Sequence, residues 1–101
     1  METGKRYFLK TVYRYGRVSA VEGKLLEYAA SLRNHIFSPG ALEGLVRELK
    51  ARQQAMLKEH PKFAAVTVSM TNAVSRSGIP CATVKVGHHC IWLESVMGEE
   101  R

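Results

Sequence analysis

The spacing of apolar residues changes period three times along the chain. From Arg6 to Tyr15 it alternates, with Tyr7, Leu9, Thr11, Tyr13 and Tyr15 on one side and Arg6, Phe8, Lys10, Val12 and Arg14 on the other. Aromatic and β-branched residues without proline make this a first strand, closed by Gly16-Arg17. The period then lengthens. Val21, Leu25, Tyr28, Ala29 and Leu32 recur at helical spacing, behind Ser19-Ala20-Val21-Glu22, which has the form of a capping box. Gly23 weakens this helix slightly, and Asn34 suits its stop. A second helix opens at Ser38-Pro39, with serine as N-cap and proline at the first helical position. Leu42, Leu45, Val46, Leu49 and Met56 form its apolar stripe. It ends at His60-Pro61, because the residue before proline avoids helical geometry. At about 21 residues, or ~31 Å, it is long for a small domain, so one end could project.

Alternation returns at Ala64–Thr71, where Val66, Val68 and Met70 oppose Thr67, Ser69 and Thr71. Residues 72–80, with two serines, a glycine and a proline, read as a loop. Cys81–Val86 and His89–Val96 then form a hairpin about Gly87-His88. Ala82, Val84, Val86, Ile91 and Leu93 lie on its apolar side, which His89 shares. Cys81, Thr83, Lys85, Cys90, Trp92 and Glu94 lie on the other. The pattern predicts an α+β fold of order β-α-α-β-β-β: a four-stranded, mostly antiparallel sheet with a helical hairpin packed on one face. The opposite face is left in water, as an antiparallel sheet allows. One domain spans residues 1–101, with 97–101 a polar, frayed tail.

The length of 101 residues fits a single domain with a modest core. No stretch reaches the ~20 apolar residues of a membrane span, and the first ten residues lack the apolar core of a signal peptide. The expectation is a cytoplasmic protein. The net charge of +6 is concentrated toward the N-terminus: residues 1–36 hold seven Lys and Arg against three Glu, whereas residues 64–101 balance. Such a basic half suits nucleic acid or an acidic protein, or serves solubility alone.

Chemical motifs are sparse. There is no Asp, and no glycine-rich strand-to-helix turn that would cradle a phosphate. Cys81, His88, His89 and Cys90 look like zinc ligands as a collection, but adjacent strand residues point to opposite faces and the spacing is wrong. No metal and no cofactor is expected. The hairpin register puts Lys85 opposite Cys90 and Cys81 opposite Glu94. The thiols are then ~13 Å apart along the strands, too far for a disulfide. A Cys90 nucleophile would need His35 or His60 beside it, and buried inert cysteine is commoner.

The remaining candidates are Arg6, Phe8, Lys10 and Arg14 of the first strand, with Lys85 and Trp92. On one face the cations could neutralise phosphates while aromatic rings stack on unpaired bases. Equally, they could be the wet side of a strand, with charges that block edge pairing. A Trp on a polar side suits an interface.

The segment Thr83-Val84-Lys85-Val86-Gly87-His88-His89-Cys90-Ile91-Trp92-Leu93, in a basic chain with this layout, resembles the RelE/ParE toxin superfamily. The resemblance implies an RNA-directed nuclease. The chain departs from that family in the position of the tight turn and in having only Lys85 and Arg101 as basic residues after Cys81, so no catalytic residue is carried over. Three readings follow. The first is a non-catalytic binding module using a basic, aromatic sheet face for nucleic acid or an acidic protein. The second is a homodimeric interaction or accessory protein, of the kind phages and mobile elements encode, with that face buried. The third is a toxin-like RNase.

Overall fold

A computed structural model describes residues 6–74, 78 and 80–96. Two helices cover one face of a five-stranded antiparallel sheet: β1 (Tyr7–Tyr13), α1 (Ala20–Ala30), β2 (Ile36–Phe37), α2 (Pro39–Glu59), β3 (Val68–Val74), β4 (Pro80–Val86) and β5 (His89–Ser95). The strand order is β2-β1-β5-β4-β3. The α+β class is as the sequence predicts, but the strand count is five rather than four. The link between the helices is not a plain turn: Ile36 and Phe37 pair with Phe8 and Tyr7. Two residues are too short a run to leave a periodic signal. The third strand also differs. It begins at Val68 rather than Ala64 and continues to Val74, so Asn72–Val74 are paired with Ala82–Pro80 instead of looping. The expected tail 97–101, and residues 75–77 and 79 of the expected loop, lie outside the described residues.

The helix signals act as read. Ser19 accepts the Glu22 N–H while the Glu22 carboxylate accepts the Ser19 N–H, closing the capping box. Ser38 accepts the Ala41 N–H at the start of α2. Asn34 takes a left-handed backbone (φ 72°) after α1. Along α2, Glu48 and Arg52 pair at i,i+4 spacing, 2.9 Å apart. Val21, Leu25, Leu26 and Ala29 of α1 and Leu42, Leu45 and Leu49 of α2 close over Leu9, Val84, Val86, Ile91 and Leu93.

The length of α2 has a geometric reason. It starts beside β2 at one sheet edge, and at Gln53 it meets Val66, just before β3 at the other. Four strand spacings amount to ~19 Å, and the rise from Pro39 to Gln53 is ~21 Å. Gln53 is buried, and its amide donates to the Val66 carbonyl (3.1 Å) and accepts the Val66 N–H (2.6 Å). It thereby satisfies a backbone segment that no strand pairs.

The first strand carries the main departure from simple alternation. Leu9 pairs with Leu93 but Thr11 pairs with Trp92, so Lys10 is the extra residue of a β-bulge. Beyond it the faces exchange. Val12 returns to the core side opposite Ile91, and Thr11 and Tyr13 turn outward opposite Trp92 and Cys90. The expected line of Arg6, Lys10 and Arg14 on one face is therefore broken.

Replacing Gln53 with Ala strands both Val66 backbone groups. The expected loss is about 1–3 kcal/mol, read as a lower urea midpoint with an unchanged m-value.

Candidate functional site

The sheet face turned away from the helices forms a small grid, in which Cys81, Thr83 and Cys90 are buried and Phe8, Trp92 and Glu94 half-buried. Its central row is Thr11, Trp92, Thr83 and Thr71 on β1, β5, β4 and β3. One flanking row is Tyr13, Cys90, Lys85 and Ser69. The other holds Ile36, Phe8, Glu94 and Cys81. The hairpin register is the expected one, with Lys85 opposite Cys90 and Cys81 opposite Glu94, and both cysteines are free.

Four of the six sequence candidates, Phe8, Lys10, Lys85 and Trp92, meet on this face. Arg6 precedes β1, and Arg14 lies past its end in the loop to α1. The half-buried Trp92 donates its indole N–H to Glu94 Oε2 at 3.0 Å, and Lys10 Nζ lies 3.4 Å from the same oxygen. The indole N–H, with help from Lys10 and against the cost of burial, holds the Glu94 carboxyl below the usual range. The acid stays ionised and pins the indole.

Cys90 does not read as a nucleophile. Burial pushes its thiol up, with Lys85 opposing, which keeps it protonated at neutral pH. It bonds no histidine among the described residues. His60 ends α2 and stacks on Phe63, and the carbonyl of His35 is taken by the Leu9 N–H.

A second constellation lies on the helix side, where β1, α1 and the β4–β5 turn converge. His89 is fully buried. Its Nδ1 accepts the Tyr15 N–H at 2.9 Å, so the ring proton sits on Nε2, which donates to Glu22 Oε1 at 3.1 Å. The adjacent His88 Nε2–H donates to the Tyr15 carbonyl at 2.7 Å, and the two imidazoles lie 4.3 Å apart. Glu22 Oε1 also accepts the Ser19 N–H at 3.0 Å. That backbone bond is the main reason the Glu22 carboxyl is held below its ordinary value. Burial works against it, and His89 adds to it.

Glu22, His88 and His89 are close enough together to suggest a metal. The hydrogen bonds argue otherwise. A histidine whose Nδ1 accepts a backbone N–H has no lone pair at Nε2, whereas a metal-bound histidine donates its other N–H. The same bonding leaves His89 no free nitrogen to act as a base. The cluster is a latch. The alternation had put His89 on the apolar side, and a buried imidazole requires partners. That was the available signal, but Glu22 and Tyr15 as the partners were not visible in it.

Between the helices, Leu25, Tyr28 and Met56 line an open groove of about 500 Å³. There the Arg52 guanidinium lies 3.7 Å over the Tyr28 ring while bonded to Glu48.

A scan against protein-family models finds no match, and neither does a search of curated proteins or of solved structures. No helix among the described residues is long and apolar enough to cross a membrane.

Two outcomes test the latch. The folded-state pKa of Glu22 is lowered, so its stabilisation is complete above the unfolded value of about 4.3 and is lost as pH falls through the folded value. Glu22→Gln should cost about 2 kcal/mol at pH 7, and denaturation curves of parent and variant should converge in acid. Gly87 has φ +63°, and a Cβ there would run into Glu22 Oε2, so Gly87→Ala should destabilise by about 2 kcal/mol or more.

Proposed function

We propose that the protein is a non-catalytic interaction module whose sheet face opposite the helices binds protein, its first partner being a second copy of itself. The observation that carries this is the character of the face around Trp92. In a chain of net charge +6, the charged groups of this face among the described strand residues are Lys10, Lys85 and Glu94, and Lys10 is already paired with Glu94. A polyanion is held by unpaired cations. A nearly neutral surface of Trp, Phe, Ile, Tyr and Thr suits another such surface better, since copies repelled elsewhere by like charge are not repelled here.

Trp92 sits in the central row of the third of five strands. A two-fold axis lying in the interface and centred on the face brings the two indoles together, and tryptophan is enriched among residues that dominate binding energy. Its bond to Glu94 orders the ring in advance, which lowers the entropy cost of association. Four strands of seven residues cover roughly 450 Å². Both copies together then reach about 900 Å², the size of a weak, transient interface. Such a dimer forms in proportion to concentration.

Nucleic acid or an acidic protein on this same face rests on Lys10 and Lys85 flanking Trp92, and a toxin-like nuclease would add RNA cleavage. One experiment separates these readings. Light scattering over a range of concentrations should give a mass approaching two chains, little changed between low and high salt because apolar contacts are not screened. Thr71→Arg, at an exposed position of the central row, should return it to one chain while leaving the far-UV spectrum intact. A parent protein that stays monomeric at every concentration contradicts the proposal. A monomer that gains mass with RNA at low salt only would give the face to a polyanion.

A further inference from the structure

The bulge at Lys10 removes Arg14 from the sheet face and places it in a loop with different properties. In Tyr13-Arg14-Tyr15-Gly16-Arg17, consecutive histidines grip both backbone groups of one residue: His89 Nδ1 takes the Tyr15 N–H and His88 Nε2–H holds the Tyr15 carbonyl. Gly16 follows with φ +72°, a reversal that side chains resist. The backbone is thus fastened while the side chains are left outside. Tyr13 and Tyr15 are 44% and 51% exposed, yet their rings stack on each other with centroids 6.3 Å apart and planes 24° from parallel.

The charge around these rings is of one sign. Arg14 and Arg17 are exposed and make no ion pair among the described residues, unlike Lys10 and Arg52, which do. No acid occurs from Arg6 to Val21, and Glu22 beneath the loop is turned inward to His89 and Ser19. Lys85 is in the same row as Tyr13, two strands away, or ~10 Å.

We propose that this histidine-clamped loop is a binding site for single-stranded nucleic acid. Arg14, Arg17 and Lys85 meet phosphates, and the ordered tyrosine pair offers a face on which unpaired bases stack. Stacking on an aromatic platform is indifferent to base identity but needs bases freed from a duplex, and cations on the backbone add affinity that falls with salt. A loop already held in place loses little entropy on binding. Arg14, Tyr15 and Arg17 lie beyond the end of β1, outside the sheet face, whereas Tyr13 and Lys85 belong to a row that a second copy would cover.

The test is fluorescence anisotropy with a labelled 20-nucleotide oligouridylate and with a duplex of the same length, across salt concentrations. The expected result is tighter binding of the single strand. The double variant Arg14→Ala/Arg17→Ala should bind weakly, with a salt dependence shallower by about 1.4 logarithmic units per decade, two contacts at ~0.7 each. Tyr15→Ala should weaken single-strand binding about tenfold and leave the salt slope unchanged. The pair Lys58→Ala/Lys62→Ala removes the same charge at the end of α2 and should bind as the parent does.

The proposal is overturned if the parent fails to bind at low salt, or if the loop variant loses no more than the Lys58/Lys62 pair. It is also overturned if polyglutamate, an acidic chain without bases, displaces the label as well as unlabelled oligouridylate does. Binding is read at concentrations where the parent is monomeric, so a failure to dimerise and a failure to bind single strands are seen separately.

Discussion

One fully buried imidazole sets the geometry of this domain. His89 sits at the start of β5 on the helix side of the sheet, where an unpaired ring nitrogen would cost several kcal/mol. Both nitrogens are satisfied, one by the Tyr15 N–H and the other by a carboxylate that also caps α1. A single hydrogen-bond chain therefore joins the loop after β1, the first turn of α1 and the β4–β5 hairpin. The hairpin can approach Glu22 so closely because residue 87 has no Cβ. Capping box, buried histidine and left-handed glycine are one arrangement seen from three segments, and a change in any of them is felt by the others.

The two proposed binding surfaces follow from this latch together with the bulge at Lys10. Without the bulge, Arg14 would continue the row of Lys10 and a single basic face would result. With it, Thr11 and Tyr13 turn outward and Val12 turns in. The sheet face becomes nearly neutral around a pinned Trp92, and the unpaired arginines move to the clamped loop. Features that look like one basic, aromatic surface in the sequence are thus divided between two places with different electrostatics. The division decides which partner each place suits: a neutral surface centred on an indole, or an anion with stacking groups.

Much of the fold was legible because the local signals agree with one another. Ser19-x-x-Glu22, Ser38-Pro39 and His60-Pro61 bound the helices nearly to the residue, and alternation about Gly87-His88 sets the hairpin register. What was hidden is of three kinds. Ile36-Phe37 is too short to be periodic, and it becomes a strand only because β1 presents an edge beside it. The bulge defeats a rule of strict alternation, although two polar residues between Leu9 and Val12, both core-facing, are its trace. Long-range partners of polar groups, such as Gln53 with Val66 or His89 with Tyr15, depend on which elements meet and so cannot be read along the chain. The candidate residues Phe8, Lys10, Lys85 and Trp92 were brought together for the reason alternation suggests, whereas the parting of Arg14 from them required the bulge.

The proton position on His89 bears most directly on this account. It excludes His89 as a metal ligand or general base, and it holds the loop that carries Tyr15. Ring-nitrogen NMR on uniformly labelled protein at neutral pH reads it. The account predicts a His89 proton on Nε2, an Nδ1 lone pair that accepts the Tyr15 amide, and His89 signals unchanged by added zinc. A proton on Nδ1, or zinc bound at Nε2, would contradict it and turn the latch into a vacant ligand site.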